Sequence, residues 1–81
     1  MNMETAYVFL ICDLGYEETI IKDLKRIDSI SEVCGIYGTY DIIAKVEHSE
    51  IDKLNKIIMW NIRKLEHVRS TLTMMIIQGQ D

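Results

Sequence analysis

Few residues of this chain could do chemistry, and their spacing keeps them apart. Cys12 and Cys34 form neither a Cys-x-x-Cys pair nor a metal-ligand spacing, so both are predicted to be small apolar core residues. His48 and His67 have no paired ligand nearby in sequence and are predicted to lie at the surface, at the ends of elements. No nucleophile-and-base cluster and no glycine-rich anion loop is visible. The sequence therefore predicts no catalytic residue, no metal site and no cofactor.

Asp41 is the residue that most needs an explanation, because aspartate is disfavoured in strands and this one lies in an apolar, strand-like run. Its carboxylate could receive a cation, such as the ammonium group of a ligand. It could instead bond a backbone N–H and tie its own hairpin, as aspartate does in turns. An acid–base role together with Tyr40 would need a further group, and nothing pairs with the two by sequence. The ligand-binding and the structural interpretation of Asp41 both stay open.

A β-hairpin is predicted to position Asp41. Two apolar runs meet at Gly38-Thr39, and glycine first in a two-residue loop is typical of a type II′ turn. The resulting register pairs Glu32 with Lys45, an opposite-charge pair across the strands. Alternation then predicts a core face that carries Val33, Tyr37, Tyr40, Ile42, Ala44 and Val46, with the two tyrosines packed as a pair. The opposite face is predicted to carry Glu32, Cys34, Ile36, Asp41, Ile43 and Lys45.

The chain before the hairpin has the pattern of a strand followed by a helix. The continuous apolar run from Thr5 to Cys12 predicts a strand that is buried on both faces. A helix is predicted to open at Tyr16 or Glu17, with acidic residues in its first turn where the helix dipole favours them. It is predicted to end at Asp28-Ser29.

A second helix and a last strand are predicted after the hairpin. Ser49 is the expected N-cap, with Asp52 in the fourth position of a capping-box pattern. The helix is predicted to run to about Leu65, with an apolar stripe made of Ile51, Leu54, Ile58, Ile62 and Leu65. Val68 to Ile77 is the predicted last strand.

The predicted order is thus β-α-β-β-α-β. Right-handed crossovers in both halves place the two helices on one face of a four-stranded antiparallel sheet. This is the ferredoxin-like α+β sandwich. At 81 residues there is room for a single domain, 1–81, with a core of about 5–77.

Composition argues against several classes of function. The net charge is −4 and the longest basic run is Lys25-Arg26, so the sequence predicts no direct binding to DNA or RNA. The apolar run from Ala6 to Cys12 is far shorter than the roughly 20 residues of a membrane helix. A cytoplasmic protein is therefore expected.

The sheet face opposite the helices is predicted to be an interface. Cys34, Ile36 and Ile43 lie there, together with one alternating set from the first strand and one from the last. The simplest closed arrangement is a homodimer stacked sheet to sheet, in a barrel-like α/β pairing. Trp60 lies behind the apolar stripe of the second helix and is predicted to make a further contact.

The segment Gly35–Val46 resembles a known family, and Gly38-Thr39-Tyr40-Asp41 is its most specific motif. Together with Val68–Thr73 and Ile62–Leu65, it is similar to the effector-binding domain of the Lrp/AsnC (feast/famine) regulators, also called the RAM domain. The resemblance covers Thr5 to Ile77. Full-length members carry an N-terminal helix-turn-helix domain, and here only four residues precede the first strand, so the chain resembles the stand-alone RAM proteins.

The resemblance implies a function without catalysis. It implies homodimers, assembly of dimers into rings such as octamers, an amino-acid effector held between dimers, and co-assembly with full-length Lrp/AsnC relatives. The expected role is modulation of transcription or of amino-acid metabolism, without DNA binding by this chain. The ligand-binding residues that the family pattern implies are Gly38, Thr39, Tyr40, Asp41, Ser70, Thr71 and Thr73.

Two alternatives stay open from the sequence. One is a small dimeric ferredoxin-like enzyme of the monooxygenase or isomerase type, with His48 or His67 as the base. The other is a purely structural oligomer that has no ligand.

Overall fold

The computed structural model describes residues 3–80, which form one four-stranded antiparallel sheet and two helical regions. The elements are β1 (Glu4–Cys12), α1 (Glu17–Lys25), β2 (Ile30–Gly35), β3 (Ile42–His48), α2 (Ile51–Lys56) and β4 (Val68–Met75), with a π-helical segment at Ile57–Ile62 that continues α2. The strand order is β2-β3-β1-β4. The predicted ferredoxin-like α+β fold is confirmed.

The core lies between the helices and one face of the sheet. Alternate residues of the two central strands point inward because side chains alternate along a strand. Burying each large aliphatic side chain stabilises the fold by roughly 1.5–3 kcal/mol. The fully buried members are Ala6, Val8, Leu10, Ile20, Leu24, Ile42, Ala44, Val46, Leu54 and Ile62.

The predicted hairpin register is confirmed for most of its length, but the predicted two-residue turn is wrong. Glu32 pairs with Lys45, with their charged atoms 3.6 Å apart, and Gly35 pairs with Ile42. The strands stop there, so residues 36–41 form a six-residue connection. One further backbone bond, from the N–H of Ile36 to the carbonyl of Asp41 at 2.9 Å, follows the predicted register, whereas the N–H of Asp41 donates to Leu10 on β1.

The two tyrosines of this connection do not form the predicted core pair. Tyr37 is fully exposed, at 104% relative accessibility. The ring of Tyr40 contacts Phe9 instead, with 5.6 Å between ring centroids. Phe9 belongs to the half-buried set of β1 that alternates with the core set. Tyr40 therefore packs away from the helices.

The second helix differs from its prediction at both ends. Glu50, and not Ser49, occupies the N-cap, and none of the described side chains caps the helix. The N–H of Glu50 donates instead to Nδ1 of His48 at 3.0 Å. The helix ends at Ile62, where the N–H of Arg63 reaches back five residues to Ile58 at 2.9 Å, the bond of a π-helix.

The buried face of this helix also differs from the predicted stripe. It consists of Leu54, Ile58 and Ile62, all four residues apart, while Ile51 is exposed. The wider π turn keeps this four-residue spacing on one side of the helix. Met59 and Trp60 face outward as a result.

Candidate functional site at one end of the sheet

Three connections meet at one end of the sheet. They are residues 13–16 after β1, 36–41 between β2 and β3, and 63–67 before β4. Antiparallel pairing brings them together, because Leu10 faces Ile42 across one edge of β1 and Cys12 faces Val68 across the other. The site is built on this end.

A bulge positions Asp41. Its N–H donates to the carbonyl of Leu10 at 2.9 Å, although Leu10 is paired with Ile42, so two consecutive residues face one. Such a bulge redirects a side chain. The Asp41 carboxylate accordingly accepts the backbone N–H of Cys12 at 3.0 Å and lies 3.7 Å from its Sγ. The predicted pairing of Asp41 with Ile36 is kept, because the N–H of Ile36 donates to the carbonyl of Asp41 at 2.9 Å, but the carboxylate is directed to Cys12 at the end of β1.

The two cysteines have different environments. Cys12 is buried, as predicted, and burial, followed by the charges of Asp41 and Glu17, raises the pKa of its thiol to about 11. A thiol with this pKa is protonated at neutral pH and is a poor nucleophile. Cys34 is exposed on the sheet face away from the helices, so its predicted place in the core is wrong for the single chain.

A second cluster of polar and aromatic side chains, not predicted from the sequence, lies at the same end of the sheet. Nδ1 of His67 is 3.1 Å from Oδ2 of Asp13, and the Tyr16 ring stacks on the imidazole at 3.5 Å between centroids. Nε of Arg69 lies 3.8 Å from Oδ1 of the same carboxylate. His67 adopts a φ of 71°, which is unusual for a residue other than glycine. Asp13 and His67 are separated by 54 positions in sequence, so sequence analysis gave no signal for this pair.

The cluster joins two loops. The backbone N–H of Asp13 donates to the carbonyl of His67 at 2.8 Å, in addition to the side-chain contact. The Asp13 carboxylate thus orients the imidazole of His67. The sequence alone had shown no charged partner for this histidine in the enzyme alternative. The imidazole is stacked on Tyr16, however, and among residues 3–80 no three His, Cys, Asp or Glu side chains are grouped to hold a metal.

The hydroxyl residues of β4 divide between the two faces of the sheet. Ser70 lies opposite Ile11, on the open side, whereas Thr71 and Thr73 lie opposite the core residues Leu10 and Val8. β1 separates all three from Asp41, so about 10 Å of sheet lies between β3 and β4. One chain therefore does not bring the whole predicted ligand set together.

Two adjoining grooves run along the outer edge of β4. The larger, of about 490 Å³, is lined by Asn55, Ile58, Met59, Arg63, Thr71 and Thr73. The smaller, of about 280 Å³, is lined by Arg63, Val68, Arg69, Ser70 and Thr71. Both are open, so a small ligand can enter without movement of the core.

The sheet face opposite the helices is apolar. Pairing across β1 decides which residues share it, a choice that the sequence left open. Its apolar members are Tyr7, Phe9, Ile11, Cys34, Ile43, Leu72 and Met74, and the polar residues Glu32, Lys45 and Ser70 lie on the same face. Ile36 lies just beyond the end of β2. Trp60 is 58% exposed on the far side of the helix, as predicted, with Nζ of Lys64 3.5 Å from its ring centroid.

A family comparison agrees with this geometry. The profile of the "Lrp/AsnC ligand binding domain" matches residues 5–79. The chain belongs to this family. The described residues, 3–80, are occupied by the ligand-binding domain and contain no helix-turn-helix.

Relatives of this Lrp/AsnC domain occur in two settings. The homocitrate synthase of Saccharolobus islandicus is 36% identical over 74 residues, which are 90% of this chain and 16% of the synthase. The chain thus spans only a small part of the curated relatives that it matches. The crystal structure of FFRP-DM1 is 31% identical, with a TM-score of 0.88, over 91% of this chain and 99% of that chain.

A third comparison concerns the fold alone. The transcriptional regulator NMB0573 of Neisseria meningitidis, solved as a complex with L-Met, has a TM-score of 0.83 at 6% identity. The match covers 96% of this chain and 52% of that one. Within residues 3–80, neither helical region of this Lrp/AsnC domain has the length and apolar character of a membrane span.

Proposed function

We propose that this chain is an amino-acid-binding module that works as an oligomer. Homodimers form through the open sheet face and assemble further into a ring such as an octamer. The proposal rests on one observation: the predicted ligand-binding residues lie on both sides of β1. Asp41 and the β4 hydroxyls lie on opposite sides of that strand, so a neighbouring copy can complete the site. The L-Met complex of the regulator NMB0573 supports an amino acid as the ligand class.

The residues of the loop fit the chemistry of a zwitterion. Asp41 uses one carboxylate oxygen for Cys12 and retains acceptor capacity on the other, where an ammonium group can bind. Gly38 has a φ of 115° and is exposed with Thr39, so backbone N–H groups and a hydroxyl of the loop are accessible to a ligand carboxylate. Ser70 lies on β4, beyond β1, and would reach the ligand from a neighbouring copy. Tyr40 and the threonines of β4 (Thr71 and Thr73) complete the proposed set.

The proposed action is regulatory and is exerted on a larger protein. The homocitrate synthase match shows a segment of this type inside a much longer enzyme sequence. The partner can therefore be a biosynthetic enzyme or a full-length Lrp/AsnC relative that binds DNA. A single domain over 1–81, a cytoplasmic location and the lack of direct DNA binding stay predictions.

A thermal-shift screen with the twenty amino acids, at fixed protein concentration, tests the proposal. A ligand at one hundred times its Kd adds about 2.7 kcal/mol. For a domain of this size that raises Tm by roughly 10–20 °C. One or a few amino acids are expected to do so. If none does while the protein is oligomeric by sedimentation, the structural-oligomer alternative is correct.

A further inference from the structure

The smaller groove beside β4 has an unusual charge for this chain. It is lined by Arg63 and Arg69, two of the three arginines in a protein of net charge −4. Ser70 and Thr71 add two hydroxyl groups to the same lining. Among the described residues, no acidic side chain lines it. The groove is thus a concentration of donors and positive charge on an acidic protein.

The arginines keep most of their binding capacity. Asp13 approaches Arg69 only through Nε, at 3.8 Å, and this distance exceeds that of a hydrogen bond. The Arg69 side chain is 69% exposed and the Asp13 side chain 46%, so solvent screens the pair. Arg63 borders the small groove, the larger groove with Thr73, and a third depression beside Trp60. Arg63 is therefore central to the whole edge.

We propose that this groove binds a carboxylate on the effector's side chain, so that the preferred effector is an acidic amino acid. The inference rests on the proposed function, because it names the effector class of the same site. A guanidinium presents paired N–H donors that match a carboxylate, and neighbouring hydroxyls can donate to its remaining lone pairs. At about 280 Å³ the groove is at the small end of ligand sites. It suits one short side chain.

Calorimetric titration with glutamate, glutamine and glutarate tests the inference. Glutamine keeps the size of glutamate without the side-chain charge, and glutarate keeps both carboxylates without the ammonium group. Glutamate is expected to bind the wild-type protein at least about tenfold more tightly than glutamine, the effect of a hydrogen bond to a charged group. Arg63→Gln should weaken this preference, and the double variant Arg63→Gln with Arg69→Gln should abolish it. Arg26→Gln is the matched control, because Arg26 is exposed on the helix side and, among residues 3–80, pairs only with Asp23, at 3.8 Å.

The outcomes separate the inference from the proposed function. Glutamine binding as tightly as glutamate, with Arg63→Gln unchanged, overturns the acidic preference and leaves amino-acid binding intact. Glutarate binding as tightly as glutamate, lost in the double variant, supports the carboxylate groove and contradicts a requirement for the ammonium group. Binding of none of the three overturns the inference, and the twenty-amino-acid screen then decides the function. Thermal unfolding of each variant checks that the exposed substitutions leave the fold unchanged.

Discussion

The carboxylate of Asp41 accepts the backbone N–H of Cys12 at 3.0 Å and so joins the β2–β3 connection to the end of β1. The pairing of β1 with β4 changes register between Ile11 and Cys12. A strand amide at such an irregularity needs a partner from outside the ladder, because an unpaired buried N–H is destabilising. Asp41 is that partner, and its structural and ligand-binding roles can therefore be tested separately.

Asp41→Ala is expected to lower the free energy of unfolding by about 1–3 kcal/mol, because it leaves the Cys12 N–H without an acceptor. Urea unfolding measures this. Asp28→Ala is the control, since Asp28 is exposed on the α1–β2 connection and should change stability by less than about 0.5 kcal/mol. Equal stabilities of the two variants would show that the Asp41–Cys12 bond contributes nothing.

Asp41→Asn tests the ligand-binding role. The amide oxygen can still accept from Cys12, so we expect a folded protein with the oligomeric state of the wild type. The loss of charge should reduce the stabilisation by an amino acid by roughly 1.5–3 kcal/mol, the range for a hydrogen bond to a charged group. Titration calorimetry of both proteins measures the difference. Unchanged affinity would remove Asp41 from the site.

The raised pKa of Cys12 predicts that the free energy of unfolding falls at alkaline pH. Its pKa is about 11 in the folded chain against an ordinary 9.0, so the folded state holds a proton that the unfolded state releases first. The protonated thiol contributes its full stabilisation of the folded state below pH 9, and this stabilisation is lost as the pH rises to 11. The expected loss is about 2–3 kcal/mol. Urea unfolding between pH 8 and 11 in a Cys34→Ser background measures it, and Cys12→Ala should lack this component of the decline.

Ile43→Glu tests the sheet-to-sheet dimer. A charge at the centre of the open face should prevent stacking and give unfolded or aggregated protein. Leu14→Glu places the same charge on a side chain that is 94% exposed in a loop and should leave the dimer intact. Sedimentation velocity distinguishes these results. A folded, soluble monomer of Ile43→Glu at micromolar concentration would show that the dimer is not obligate, and a labelling rate of Cys34 that does not fall with protein concentration would argue against a dimer through this face.

The positive φ of His67 predicts that alanine and glycine at this position give proteins of different stability. Both His67→Ala and His67→Gly lose the contacts with Asp13 and Tyr16. Only alanine keeps a Cβ at the positive φ of 71°, so the glycine variant should be more stable by about 1 kcal/mol. Chemical denaturation at neutral pH compares them. If alanine were equally stable, the left-handed conformation would carry no strain.

Local patterns in the sequence were sufficient for the element order and for part of the register. Alternation and helical spacing act over a few residues, and they predicted four strands, two helices and the Glu32–Lys45 pair, all of which the structure contains. The segments Gly35–Val46, Ile62–Leu65 and Val68–Thr73, with Gly38–Asp41 as the most specific motif, were sufficient for the family. Each of these features depends on residues that are close in sequence.

Only the tertiary structure decided how distant segments meet. The partners of β1 set which of its faces is open, turned Asp41 toward Cys12 and brought Asp13 to His67. The tertiary structure also placed Arg63 and Arg69 in one groove with the hydroxyls of β4. None of these contacts has a local signal, because each depends on strand pairing and a bulge that form between segments far apart in the chain. The chemistry of the site is therefore a property of the packed sheet end.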